Sequence, residues 1–115
     1  MSDSNTKANT QSGPLDSTQV RRLRALAHHL RPVVLLGGKG LTDAVTQETD
    51  GALAHHELIK VRSSADGKQA RREELQRLAD ATGAQLVQLI GRIGVLYRAG
   101  DPPVILAGKT TKTKS

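Results

Sequence analysis

Apolar and polar positions alternate along the chain with two different periods. Over residues 17 to about 30, Val20, Leu23, Leu26, Ala27 and Leu30 share one stripe at helical spacing, and Ser17 suits the capping position at its start. Pro32 ends that helix, because the residue before a proline is pushed toward extended geometry. Val33-Val34-Leu35-Leu36 is an unbroken apolar run, half of it β-branched and bounded by glycine, which predicts a buried strand. Leu41, Ala44, Val45, Ala52 and Leu53 predict a second helix over about 43–54, capped by Thr42. Thr46, Thr49 and Gly51 weaken it by propensity, so tertiary packing has to hold it. Residues 55–62 read as a second strand, with Lys60 and Arg62 on one face and Ile59 and Val61 on the other.

Ser63-Ser64-Ala65-Asp66-Gly67 is turn chemistry. The next helix, about 68–82, buries Leu75, Leu78, Ala79 and Thr82 and stops at Gly83. Residues 85–90 and 93–98 pair across Gly91-Arg92, a two-residue loop with glycine first that suits a type II′ hairpin turn. Pro102-Pro103 confines the last apolar run, Val104-Ile105-Leu106, to an edge strand or an extended segment. The order helix, strand, helix, strand, helix, strand, strand predicts an α/β (α+β) fold, a two-layer sandwich with one mixed sheet. Residues 1–16 and 107–115 are polar and short of large apolar groups, and read as disordered tails around a single domain at 17–106.

Charge sharpens this. The chain carries 17 Lys and Arg against 11 Asp and Glu, a net charge of +6, with an isoelectric point near 10.2. The excess persists when the tails are set aside, and it favours a polyanionic partner, nucleic acid before an acidic membrane surface. Tyr97 is the only Phe, Tyr or Trp, so recognition by stacked bases is disfavoured and binding has to lean on backbone and shape. There is no cysteine for disulfides or thiolate metal sites. No apolar stretch approaches the roughly 20 residues that cross a membrane, and the first residues lack the apolar core of a secretory signal. The expectation is a soluble cytoplasmic protein.

The chemistry concentrates in Gly37-Gly38-Lys39-Gly40. Glycine amides at a helix start, with one lysine ammonium among them, suit a phosphate. A bulky or acidic residue at Gly38 is expected to block or repel such a ligand. The loop is not a nucleotide-hydrolysing P-loop: the earlier glycine would fall at Val33, and no Ser or Thr follows Lys39. Arg21, Arg22, Arg24 and Arg31 follow one another without an intervening acid and extend the footprint along a phosphate backbone; Lys60 and Arg92, at the hairpin tip, are further candidates. His28-His29 and His55-His56 are adjacent pairs whose side chains diverge in helix or strand, a poor arrangement for chelation. No nucleophile or paired-carboxylate pattern points to catalysis.

These residues resemble the CRM domain family, whose small bacterial stand-alone members are the YhbY-type proteins. The resemblance runs through Arg24-Ala25-Leu26-Ala27-His28 with Leu30-Arg31-Pro32-Val33-Val34, then the Gly37-Gly38-Lys39-Gly40-Leu41-Thr42 loop. It continues through His56-Glu57-Leu58-Ile59-Lys60-Val61, Val87-Gln88-Leu89-Ile90-Gly91-Arg92 and Val95-Leu96-Tyr97-Arg98. His29 departs where proline is expected, and Thr46 and Thr49 replace larger apolar residues. The resemblance implies an RNA-binding domain with a fold like the C-terminal domain of translation initiation factor three. It also implies association with large-subunit ribosomal precursors. The expected protein is a monomer that binds RNA, with no cofactor, metal, membrane or small-molecule substrate. The alternative is a protein-binding adaptor on the ribosome or an assembly factor, which lays the same basic face on an acidic protein surface without direct RNA contact.

Overall fold

Seven elements follow one another in residues 15–106, the part of the chain that this computed structural model describes. They are α1 Ser17–Ala27, β1 Pro32–Leu35, α2 Asp43–His56, β2 Leu58–Arg62, α3 Lys68–Thr82, β3 Gln85–Ile90 and β4 Ile93–Tyr97. The sheet order is β1-β2-β4-β3. β1 and β2 run parallel with α2 as their crossover, and the remaining pairs are antiparallel. The mixed α+β fold with one mixed sheet is the one the pattern predicts.

Strand alternation decides the layers. Ile59, Val61 and Leu96 point to one face, where Leu53 of α2 and Leu75 and Leu78 of α3 cover them. Leu58, Val95 and Tyr97 point to the other and pack on Leu23 and Ala27 of α1. Apolar side chains on both faces of β2 and β4 need cover on each side, so the stack has three layers where two were expected. Gly94 in β4 admits α3 closely: a Cβ there would lie 2.6 Å from Leu75 Cδ1. Thr49 is wholly buried with its hydroxyl donating to the Val45 carbonyl at 2.8 Å, which is how α2 tolerates it in the core.

Several boundaries move for local reasons. Asp16, not Ser17, caps α1: its carboxylate accepts from the Gln19 amide at 2.7 Å while the Gln19 side chain accepts from the Asp16 amide at 3.0 Å. Leu15 packs under α1, so Leu15 and Asp16 belong to the fold; the rest of the expected tails, 1–14 and 107–115, lies outside the described residues. β1 is an outer strand with only Val34 buried along it, because among the described residues no strand flanks its far side; Val33 and Leu35 are 47% and 61% exposed. α2 runs on through His55 and His56, which are therefore helical.

Glu57 makes the turn from α2 into β2 at φ 66°, ψ −41°, a conformation rare outside glycine. Its carboxylate is buried and accepts from the amides of Gly100 at 2.6 Å, Val104 at 2.9 Å and Ile105 at 2.8 Å. The segment expected to run as an edge strand or an extended segment, 104–106, forms a bend and turn, since the amides of Val104 and Ile105 converge on this carboxylate instead of a sheet edge. Burial, and secondarily the neighbouring Glu57, raise the Tyr97 phenol above its ordinary value of 10.0.

Candidate nucleic-acid interface

The glycine loop leaves the C-terminal end of β1 and folds into a tight turn, closed by the Gly40 amide donating to the Gly37 carbonyl at 2.9 Å. Gly40 takes φ +68°, and a Cβ there would stand 3.1 Å from Glu74 Oε2. At Gly37 and Gly38 a Cβ would meet nothing within 4 Å and the backbone is not left-handed. The fold therefore requires glycine at position 40, but not at 37 or 38. Gly38 and Lys39 are exposed at the tip, and among the described residues their amides have no protein acceptor.

The helix start behind the loop is closed off. Thr42 Oγ1 accepts from the Val45 amide at 3.1 Å, and Asp43 stands in the first turn of α2. The cap and the carboxylate already serve the positive helix end, so an anion is better received at the turn tip than on the α2 amides.

The tip has mixed charge on the α3 side, where Lys39 lines a pocket with Glu73, Glu74 and Arg77, and cations on the other side of the sheet. The Leu36 amide donates to the Arg62 carbonyl at 3.0 Å, which places Arg62 one strand over from the loop. Arg62 heads a crosswise row of Leu35, Arg62, Ile93 and Ile90 on the α1 face, and of these Leu35, Arg62 and Ile90 are exposed. Behind the row, Arg24, His28, Lys60 and Gln88 line a concave shelf under α1. Lys60 is half-buried with Nζ donating to the Leu30 carbonyl at 3.1 Å, which orients it there. Arg21, one turn before Arg24, continues this flank.

Not all the expected cations join. Arg31 lines a separate groove on the other flank of α1 with Leu26 and His29, and Arg22 lies one turn before Leu26. Arg92 is spent on structure: its guanidinium donates to the Ala65 carbonyl at 3.1 Å and pairs with Asp66 at 3.2 Å, clamping the turn after β2. The sequence pattern does not single out Arg62 or His28 as RNA contacts, although strand alternation with Lys60 is a signal for Arg62. His28 touches His29, and His55 touches His56, edge to face; among the described residues no His, Cys, Asp and Glu cluster suits a metal ion. Nor is any described helix long and apolar enough to cross a membrane.

The CRS1 / YhbY (CRM) domain model matches residues 15–98, which contain the turn, the shelf and every strand. An RNA-binding protein of Haemophilus influenzae is 45% identical over 87 residues, covering 76% of this chain and 88% of its own length. A Pseudomonas aeruginosa protein named probable RNA-binding protein is 36% identical over 89 residues, with 77% and 86% covered. The solution structure of a Staphylococcus aureus protein superposes with a TM-score of 0.67 at 35% identity, over 74% of this chain and 88% of that one.

Proposed function

The chain belongs to the CRS1 / YhbY (CRM) domain family, and from that footing we propose that it grips structured RNA by its phosphates, the target being large-subunit ribosomal RNA during assembly. The observation that carries this reading is the turn tip. Gly38 is glycine where the fold does not ask for it, beside two amides without an acceptor among the described residues and the Lys39 ammonium. A missing side chain there lets a phosphate come within hydrogen-bond reach of the backbone, and Lys39 adds charge at short range.

From that anchor the backbone of a folded RNA runs over Arg62 to Lys60 and Arg24, with Arg21 at the far end. Leu35 and Ile90 offer apolar contact to sugars, in a chain with no aromatic platform for bases. The protein's work is binding, not catalysis, carried out as a cytoplasmic monomer without cofactor. About five phosphate contacts make affinity fall steeply with salt, because each neutralised phosphate releases counterions.

The test is a salt series of binding to protein-free large-subunit ribosomal RNA fragments by the native chain and by Gly38→Asp with Lys39→Ala. The double variant is expected to fold normally, to lose at least tenfold in affinity (about 1.4 kcal/mol) and to show a shallower salt slope. Equal binding with equal slopes would reduce the loop to a turn. Failure of both proteins on bare RNA, with binding kept on an acidic protein of the particle, would favour the adaptor reading.

A further inference from the structure

At the other end of the sheet, the starts of β1 and β2 and the last turn of α1 enclose a groove of about 550 Å³. Its wall is aliphatic: Leu26, Leu30 and Val33 are 38%, 37% and 47% exposed, and Ile105 closes one side. Its charged or titratable lining is Arg31, His29 and His56, with no carboxylate. The acid next along the chain, Glu57, is buried and turned toward the amides of Gly100, Val104 and Ile105. β1, on one wall, has a strand neighbour on one side only among the described residues.

We propose that this groove docks an extended segment of a partner protein in which apolar and acidic residues alternate. Charge complementarity selects the occupant. A rim that carries Arg31 and no acid disfavours a basic segment, and the chain's own residues 107–115 are one, with Lys109, Lys112 and Lys114 and no large apolar side chain. A second copy is disfavoured for the same reason, since it brings a net charge of +6. Nucleic acid matches the charge but not the wall, because bases stack on aromatic rings or guanidinium planes, and here Arg31 alone offers such a plane against an aliphatic wall. An extended peptide sends alternate side chains to opposite sides, so one set fills the aliphatic wall while the other meets Arg31 and the histidines. Its backbone lies along the open side of β1. The groove sits at the N-terminal ends of β1 and β2 and the glycine turn at the C-terminal end of β1, so one protein can hold RNA and this segment together.

The test is a titration of the isotope-labelled full chain, followed by NMR, with the blocked heptapeptide Glu-Leu-Glu-Val-Glu-Leu-Glu. A control peptide carries lysine in place of each glutamate. Saturable shifts are expected at Leu26, Leu30, Val33 and Ile105 and not at Gly38 or Lys39, with none from the control. Leu30→Glu and Arg31→Glu, both at exposed positions, are each expected to weaken binding at least fivefold. Each is expected to keep the native melting temperature. No saturable shift, shifts centred on the glycine turn, equal binding of the lysine peptide, or indifference to both substitutions would overturn the proposal. Shifts in the same groove residues on adding protein-free ribosomal RNA fragments would overturn it in favour of a second nucleic-acid contact. The Gly38→Asp, Lys39→Ala protein should bind the heptapeptide as the native chain does, so the two sites fail independently.

Discussion

Replacing Glu57 is expected to loosen the fold far from the glycine turn, and the structure sets the size of the effect. Three backbone amides end on one buried carboxylate, at 2.6, 2.9 and 2.8 Å. Hydrogen bonds to a charged group contribute about 1.5–3 kcal/mol each, and bonds sharing one acceptor group add incompletely. In Glu57→Ala the segment from Gly100 can lift away and hydrate its amides, which limits the loss. It then forfeits the partial burial of Ile105 and Leu106, about 1–2 kcal/mol. The two effects together give about 3–4 kcal/mol. Glu57→Gln keeps one neutral acceptor oxygen and should cost about 2–3 kcal/mol. Glu57→Gly loses the same carboxylate as alanine but relieves a backbone at φ 66°, so it should be about 1 kcal/mol milder than alanine. Urea denaturation followed by circular dichroism orders the three. Alanine within 1 kcal/mol of the native protein, or glycine worse than alanine, would refute the reasoning.

Glycine substitutions at the loop should separate geometry from function. Gly38→Ala should leave the melting temperature unchanged, because its Cβ meets nothing within 4 Å, whereas Gly40→Ala should destabilise by about 1 kcal/mol through φ +68° and the Glu74 contact; thermal melts decide. Gly94→Ala should cost about 1–3 kcal/mol by overpacking against Leu75 and Leu86, measured in urea. The Tyr97 phenol holds its proton more tightly folded than unfolded, so its contribution to stability is complete below pH 10 and is lost as pH rises through the raised folded value. Native stability should fall from pH 9 to 11 more steeply than that of Tyr97→Phe. Absorbance at 295 nm, from the only tyrosine, should titrate later in the folded protein than in urea.

Local chemistry alone determined the element order. Helical spacing at Leu23 and Ala27, the apolar run before Gly37, the Gly83 stop and the Gly91-Arg92 turn each act through residues a few positions apart, and the structure carries all of them. The exposed Gly38-Lys39 tip was legible in the same way, because a turn is built from its own residues. Tertiary structure decided which charges are free. Arg24 and Arg31 stand in one basic stretch, yet the pose of α1 on the sheet sends them to different grooves. Arg92 looked available until the Ala65 carbonyl, 27 positions away, engaged it. Arg98 is likewise held, by Asp50 at 2.6 Å and the Thr82 carbonyl at 2.8 Å. Glu57 gave no local sign of its role, since the amides that neutralise it arrive 43 to 48 positions later. Propensity reaches over a turn or two of chain, but a charge is committed by whatever the fold brings to within hydrogen-bond distance.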